Sequence, residues 1–305
     1  MRGAAKTRAK AAAPFVPCSA HRLPPDVPPE AVIANAVAEY PQAGVWAAAA
    51  VALAGMPAEP LPLLRIAFLI QRKWDAATAA RMPVQFLGNP SAELKRKTLQ
   101  YANMLAGGGA AVGFVESADG LIRVAFDPRD GHFSYLGPDA KLIPRGQKTM
   151  NLALSLSSPE AEWLRVVPHE FGHALGAPHE HARPEVVAQL DPDGCYAYFA
   201  RYGWGRQEVN SQVLTPLDPR TIVGTPPAAD SMMHYQFDAS CTRSRKPIPG
   251  GTKPTADDLA FIASWYPGAV APPPPPPPSA SGTLTIDPAV RTVRLPAGWT
   301  AVQGA

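Results

Sequence analysis

The spacing of hydrophobic positions changes several times along this chain, and the changes mark its elements. The Ala-rich stretch Glu30 to Met56 has helical spacing broken at Pro41, and its most apolar part is Val45 to Met56. Leu63 to Ile70 (LLRIAFLI) is a compact apolar run that predicts a strand, and Pro83 to Leu87 predicts another. Ser91 to Ala106 predicts a helix. Ser91 is a capping residue, Leu94, Leu99 and Leu105 fall near one face, and Gly107-Gly108-Gly109 stops it. Val112 to Glu116 and Leu121 to Phe126, with Asp119-Gly120 between them, predict a hairpin. Phe133 to Leu136 and Met150 to Leu154 predict shorter strands. Ser157-Ser158-Pro159-Glu160 is a helix start, and its helix runs to Leu175 with Gly176 as the stop. After Gly176 the strand signals end. Asp193 to Tyr202 and Arg206 to Leu214 predict short helices, and Thr255 to Trp265 a clearer one, opened by Thr255-x-x-Asp258 and followed by Pro267.

Composition narrows what such a chain can be. With 305 residues, 46% apolar and 17% charged, it suits one large domain or two small ones with tails, and it can build a real core. A formal net charge of +3 makes no case for a nucleic-acid partner. No apolar run reaches the roughly 18 residues of a membrane-spanning helix. Three Cys cannot make a disulfide framework. The run Pro272 to Pro278 predicts a stiff linker, and Ser279 to Ala305 carries too little apolar area to fold alone. At the N-terminus, Arg2, Lys6, Arg8 and Lys10 are followed by Pro14 and Pro17, which interrupt the apolar stretch a signal peptide needs. The organisation expected is therefore an N-terminal tail and Ala-rich segment at 1–60 (a leader or pro-region), a catalytic domain at 61–268, and a proline-rich linker with a flexible tail at 269–305.

The chemistry is concentrated in one segment. Residues 169–179 read HExxHxxGxxH, and four of the chain's seven His lie between 169 and 181. His169 and His173 are four apart, so on a helix both imidazoles leave one face and can meet one ion. Glu170 lies beside that pair, where its carboxylate can reach a metal-bound water without ligating the metal. Gly176 permits a left-handed turn that brings His179 back as a third ligand. Three neutral nitrogens and one open position describe a catalytic site for one Zn2+ ion.

These residues resemble the metzincin zinc-endopeptidase signature. His179-Glu180-His181-Ala182-Arg183 is similar to the HExxR continuation of the astacin-like branch, and Ser231-Met232-Met233-His234-Tyr235 to its SxMHY Met-turn. The likeness runs from about Lys73-Trp74 to Trp265-Tyr266-Pro267, roughly two thirds of the chain. It implies an α+β, zincin-like fold of a bacterial-type single catalytic domain. The upper subdomain would hold a mixed twisted sheet with two long helices, and the lower would be mostly irregular with short helices. It further implies that Met233 forms a hydrophobic base under the ligands and that Tyr235 stabilises the tetrahedral intermediate. Glu180 would either meet the freed N-terminus of a processed chain or be a plain surface residue. The implied activity is peptide-bond hydrolysis of protein substrates by a secreted or extracytoplasmic monomer, with Glu170 as general base. An extended substrate would pair with the exposed edge at Phe133 to Leu136. The alternative is a zinc-containing binding module with lost peptidase activity, which would have no need of Glu170.

Several features depart from the family pattern. Pro184-Glu185 follows Arg183 where astacins usually continue with Asp and Arg. Pro168 falls inside the active helix and predicts a bend near Leu164. The astacin disulfide set is not reproduced, and Cys195 and Cys241 either pair or stay free. Cys18 lacks the neighbours of the zinc-blocking cysteine in matrixin pro-segments and is read as an inert tail thiol.

Overall fold

A computed structural model of the chain describes residues 17–21, 23–39, 72–217, 228–268, 283–286 and 300–303. The apolar runs at Val45 to Met56 and Leu63 to Ile70 lie outside the described residues. The first elements are β1 (Cys18–His21) and α1 (Pro29–Glu39). Next comes α2 (Ala76–Ala80), whose first turn is capped by the Asp75 carboxylate accepting from the Ala77 and Thr78 amides. It leads into β2 (Met82–Phe86). Ser91 caps α3 (Ala92–Ala102) through the Leu94 amide. The chain then tightens into a 3-10 stretch, Asn103–Gly109, instead of continuing the helix to Ala106. The Asn103 side chain explains the change: it accepts from the Phe114 amide at 2.8 Å and donates to the Phe114 carbonyl at 3.0 Å. A side chain that satisfies a neighbouring strand in this way competes with further helix.

That strand is β3 (Phe114–Glu116), and β4 (Ile122–Ala125) follows. They do not form the expected hairpin. β2 lies between them and pairs in parallel with both. A central strand needs partners for both rows of its backbone groups, and β3 and β4 supply one row each. β5 (His132–Tyr135) and β6 (Met150–Asn151) complete a six-stranded mixed sheet in the order β1-β5-β6-β4-β2-β3. β6 is shorter than predicted; Leu152 and Leu154 go instead to the core. β1 lies parallel along β5, with Cys18 opposite His132. The β5 edge expected to be exposed is thus covered by the chain's own N-terminal segment.

α4 (Glu160–Ala174) is the longest helix, and it continues through Pro168. Its Trp163, Val167 and Phe171 pack with Met82, Val84, Ile122, Val124 and Met150 of the sheet in one core. Phe171 meets Phe114 edge-on, with ring centroids 4.7 Å apart. After α4 come the short helices α5 (Pro184–Val187), α6 (Pro192–Phe199) and α7 (Arg206–Val209). α8 (Ala256–Trp265) has the full capping box read from Thr255 and Asp258. Among the described residues of this half, strand pairing is limited to bridges such as Leu190 with Thr242 and Phe237 with Ile248. A second, smaller core forms here from Leu190, Cys195, Phe199, Val209, Val213, Tyr235, Phe237 and Cys241. The mixed sheet with two long helices before Gly176, and the mostly irregular half after it, match the expected division. In the C-terminal segment, β7 (Thr283–Ile286) pairs in parallel with β8 (Thr300–Gln303), where the sequence suggests only a flexible tail. No helix among the described residues is long and apolar enough to cross a membrane.

One surface of the sheet half has a testable electrostatic defect. Asp139 lies in the turn on which α1 docks through Asn35, which donates to the Pro138 carbonyl at 2.8 Å. Burial pushes the Asp139 carboxyl up to about 6, with Arg72 opposing the shift. A folded pKa above the unfolded value means that stability is present at low pH and is lost as pH rises through about 4 to 6. Asp139→Asn is therefore expected to raise the melting temperature at pH 8 by a few degrees, for about 1–2 kcal/mol, and to change little at pH 3.5. Thermal denaturation at the two pH values checks this; an equal effect at both would show that the charge is not the cause.

Candidate metal centre

Helix periodicity puts His169 and His173 one turn apart on the buried face of α4. Backbone carbonyls fix both rings. His169 Nδ1 donates to Met232 O at 2.6 Å, and His173 Nδ1 donates to Ala177 O at 2.7 Å. A carbonyl only accepts, so each Nδ1 carries the proton and each Nε2 presents a bare lone pair. Burial holds His169 down to about 3, and holds His173 and His179 well below their ordinary value. All three are neutral at pH 7, the form a metal binds.

Gly176 turns the chain. Its φ is +102°, and a Cβ there would fall 1.9 Å from the Arg72 carbonyl oxygen, so no other residue fits. The carbonyls left open at the end of α4 are satisfied by residues from both ends of the family likeness. Trp74 Nε1 donates to Ala174 O at 2.7 Å, and the Tyr266 hydroxyl donates to Leu175 O at 2.8 Å. Past this turn, His179 Nε2 comes to 3.3 Å from His169 Nε2 and 3.0 Å from His173 Nε2. His169 and His173 present bare lone pairs there, and with His179 Nε2 also unprotonated all three could meet one cation. Two nitrogens each about 2.0–2.1 Å from one tetrahedral ion stand about 3.3–3.4 Å apart, close to what is seen. Neither oxygen of Glu170 has a hydrogen-bond partner, although both are buried. Burial pushes its carboxyl well above the usual range, while the Cys18 thiol and Arg165 oppose the shift. An orphaned buried carboxylate beside three converging lone pairs fits a bound cation and its water.

The fourth group is the thiol that the sequence reading weighs as a zinc-blocking cysteine and sets aside as an inert tail residue. Cys18 Sγ lies 2.6 Å from His169 Nε2 and 3.3 Å from His179 Nε2, and the four ligand atoms all lie within 4.8 Å of one another. Cys18 is 3% exposed, so it is not an inert tail thiol. The pairing of β1 with β5 delivers it, and no local pattern around Cys18 encodes that pairing. Without a metal, burial and the nearby Glu170 push its thiol well up; a cation at the centre inverts that preference.

The floor of the centre is the Met-turn. Asp258 ties it to α8: it accepts from the Ser231 hydroxyl at 2.7 Å and the Met232 amide at 2.9 Å. The sequence marked Asp258 only as a helix cap, yet it also anchors the residue whose carbonyl orients His169. Met233 Sδ lies 2.8 Å from where a Cβ on Gly172 would stand, so the turn packs directly on α4. The Tyr235 ring rests on His181 at 4.0 Å and on His179 at 4.5 Å between centroids, and the Cys18 sulfur lies 4.0 Å from its hydroxyl. Of the two readings of Glu180, this structure shows an ion pair with Arg183 at 2.7 Å.

No protein-family model matches the chain, and no curated protein matches it. Solved structures do. The structure of myroilysin is 30% identical, covers 65% of this chain and 97% of its own, and superposes with a TM-score of 0.60. A crystal structure of myroilysin, also 30% identical, covers 64% of this chain and 86% of its own with a TM-score of 0.48. High choriolytic enzyme 1, a hatching enzyme zinc-protease from the medaka fish Oryzias latipes, is 19% identical, covers 65% of this chain and 95% of its own, and gives 0.43.

Proposed function

The chain belongs to the astacin-like zinc metalloproteases, and from that premise we propose that it is a zinc-dependent endopeptidase acting on protein substrates, held latent by Cys18. The observation that carries this reading is the convergence of three imidazole Nε2 atoms, with the buried, unpartnered Glu170 next to His169 on the same helix. His169, His173 and His179 would hold the zinc. When bound, zinc supplies Lewis acidity, which makes a water nucleophilic near neutral pH and polarises a peptide carbonyl. Glu170 takes the proton of the attacking water on a carboxylate oxygen and passes it to the leaving amine. The Tyr235 hydroxyl donates to the developing oxyanion. Met233 and Gly176 shape the pocket rather than react. The module reading, binding without hydrolysis, leaves unexplained why a carboxylate is kept buried and unpaired at this point.

Latency follows from where the N-terminal segment lies. The Cys18 sulfur lies among the three imidazole nitrogens, where it would fill the position a bound zinc keeps open, and β1 fills the β5 edge along which an extended peptide would pair. Residues 1–60 then act as a pro-region, 61–268 as the catalytic domain, and 269–305 as a linker and tail. α1 strengthens the hold, since Glu39 pairs with Lys141 and accepts from the Asp75 amide.

The test is hydrolysis of a quenched peptide mixture by the zinc-loaded full chain and by Cys18→Ala. A tethered ligand acts at about millimolar effective concentration, so the variant is expected to be about tenfold or more faster. Stripping the metal should abolish the activity, and zinc should restore it. A zinc-loaded Cys18→Ala chain that cleaves nothing, even once the segment carrying β1 has been cleaved away, would sink the peptidase reading. Equal activity in both proteins would sink only the latency.

A further inference from the structure

We infer that Cys195 and Cys241 form an intramolecular disulfide that staples the lower core beneath the metal centre. Both side chains are fully buried in the same apolar cluster. The Cys195 thiol donates to the Cys241 carbonyl oxygen at 3.6 Å. The backbones are already drawn together. The Asp191 amide donates to Cys241 O at 2.8 Å, and the Cys195 amide donates to Asp191 O at 2.9 Å. Gly194 marks how close they come: a Cβ on it would stand 1.8 Å from Ser240 O and 3.4 Å from the Cys241 Cα. The structure holds both as free thiols, and α6 lies directly against the 239–241 turn, so the two thiols face the same narrow space in which a disulfide would form. The pair has no other assignment. It lies outside the Cys18 and histidine cluster, and its neighbours are Leu190, Phe199, Val209, Val213 and Phe237.

The step is ordinary thiol–disulfide exchange. One of the two cysteines, Cys241 for example, loses its proton to solvent, attacks a small-molecule disulfide as the thiolate and forms a mixed disulfide. Cys195 then attacks that bond. The oxidant leaves as two thiols, taking up the two protons and two electrons that the protein gives up. Both sulfurs are buried in the folded chain, so the exchange takes place while the lower core closes. The loop it closes, 195–241, contains the whole Met-turn and Tyr235. Phe199 and Phe237, which pack within 6.4 and 6.1 Å of the Tyr235 ring, are held from both ends of that loop. The third cysteine, Cys18, sits in the same cluster but faces the metal ligands. Its place among the three histidines, where it would bind the zinc of the loaded chain, would keep it out of the exchange.

The experiment uses the full zinc-loaded chain refolded in a mixture of reduced and oxidised glutathione. It is then unfolded in denaturant with a chelator, alkylated with iodoacetamide without prior reduction, and weighed intact. One adduct, on Cys18, is expected, with the peptides holding Cys195 and Cys241 joined; prior reduction should give three adducts. Three adducts without reduction, or any link to Cys18, would overturn the inference. A phosphine reductant should lower the melting temperature of the wild type and of Cys18→Ala by about 10 °C, as expected for opening a loop of this length. A chain with the bond formed but a melting temperature unmoved by reductant would overturn the stapling role. Cys195→Ala/Cys241→Ala, if it folds, should start at the lower temperature and ignore the reductant.

Discussion

Glu170→Ala, made in the Cys18→Ala background so that latency does not mask the result, is expected to keep its zinc and its fold while peptide hydrolysis falls by about 10⁴-fold. The reason is the absence of a substitute at the same place. The histidines around the centre are committed: His169, His173 and His179 offer their lone pairs inward, and His181 Nε2 donates to Gln212 O at 2.9 Å. The Tyr235 hydroxyl is pushed well above its ordinary range, by burial first and then by the charges of Cys18 and Glu170, so it is no base at neutral pH. Glu170 has both oxygens free inside the site. The same feature yields an independent readout. In the metal-free chain its folded pKa lies above the unfolded value, so its charged form opposes folding at neutral pH and the penalty fades as pH falls below about 4. Glu170→Gln should therefore stabilise the metal-free chain by about 1–3 kcal/mol at pH 7 and have little effect at pH 3.5. Kinetics, zinc content and thermal denaturation decide together. Loss of zinc in Glu170→Ala would make Glu170 a ligand; near-normal turnover would hand the proton to another group.

Tyr235→Phe in the same background is expected to lower kcat by about 10²–10³ with little change in KM, because the oxyanion it serves exists only near the transition state. The ring remains, so its contacts with His179 and His181 survive, and zinc content should not change. The competing view treats Tyr235 as a packing residue of the lower core, to which it does belong. On that view the Phe variant would be a little less stable and fully active. Steady-state kinetics with zinc measured in parallel separates the two, and unchanged turnover at full occupancy would remove Tyr235 from the chemistry.

Local patterns along the chain were enough to mark the three histidines that the structure brings together and the helix that carries two of them. Two His four residues apart share a helix face in any context, and the Gly that permits the following turn is a property of one residue's backbone. The caps at Ser91 and at Thr255 with Asp258 were legible for the same reason: donor and acceptor lie within four residues of each other. The pairing of strands was not. β3 and β4 read as a hairpin because Asp119-Gly120 lies between them, and only the packed sheet shows that β2 is inserted between the two. Cys18 is 151 residues from His169 in the chain, and it reaches the metal centre only because β1 adds to the edge of β5. Hydrophobic periodicity states which face a strand buries, but it does not state which neighbour completes its row of backbone hydrogen bonds. The histidine cluster was therefore written locally, whereas the thiol set against it was decided by long-range pairing.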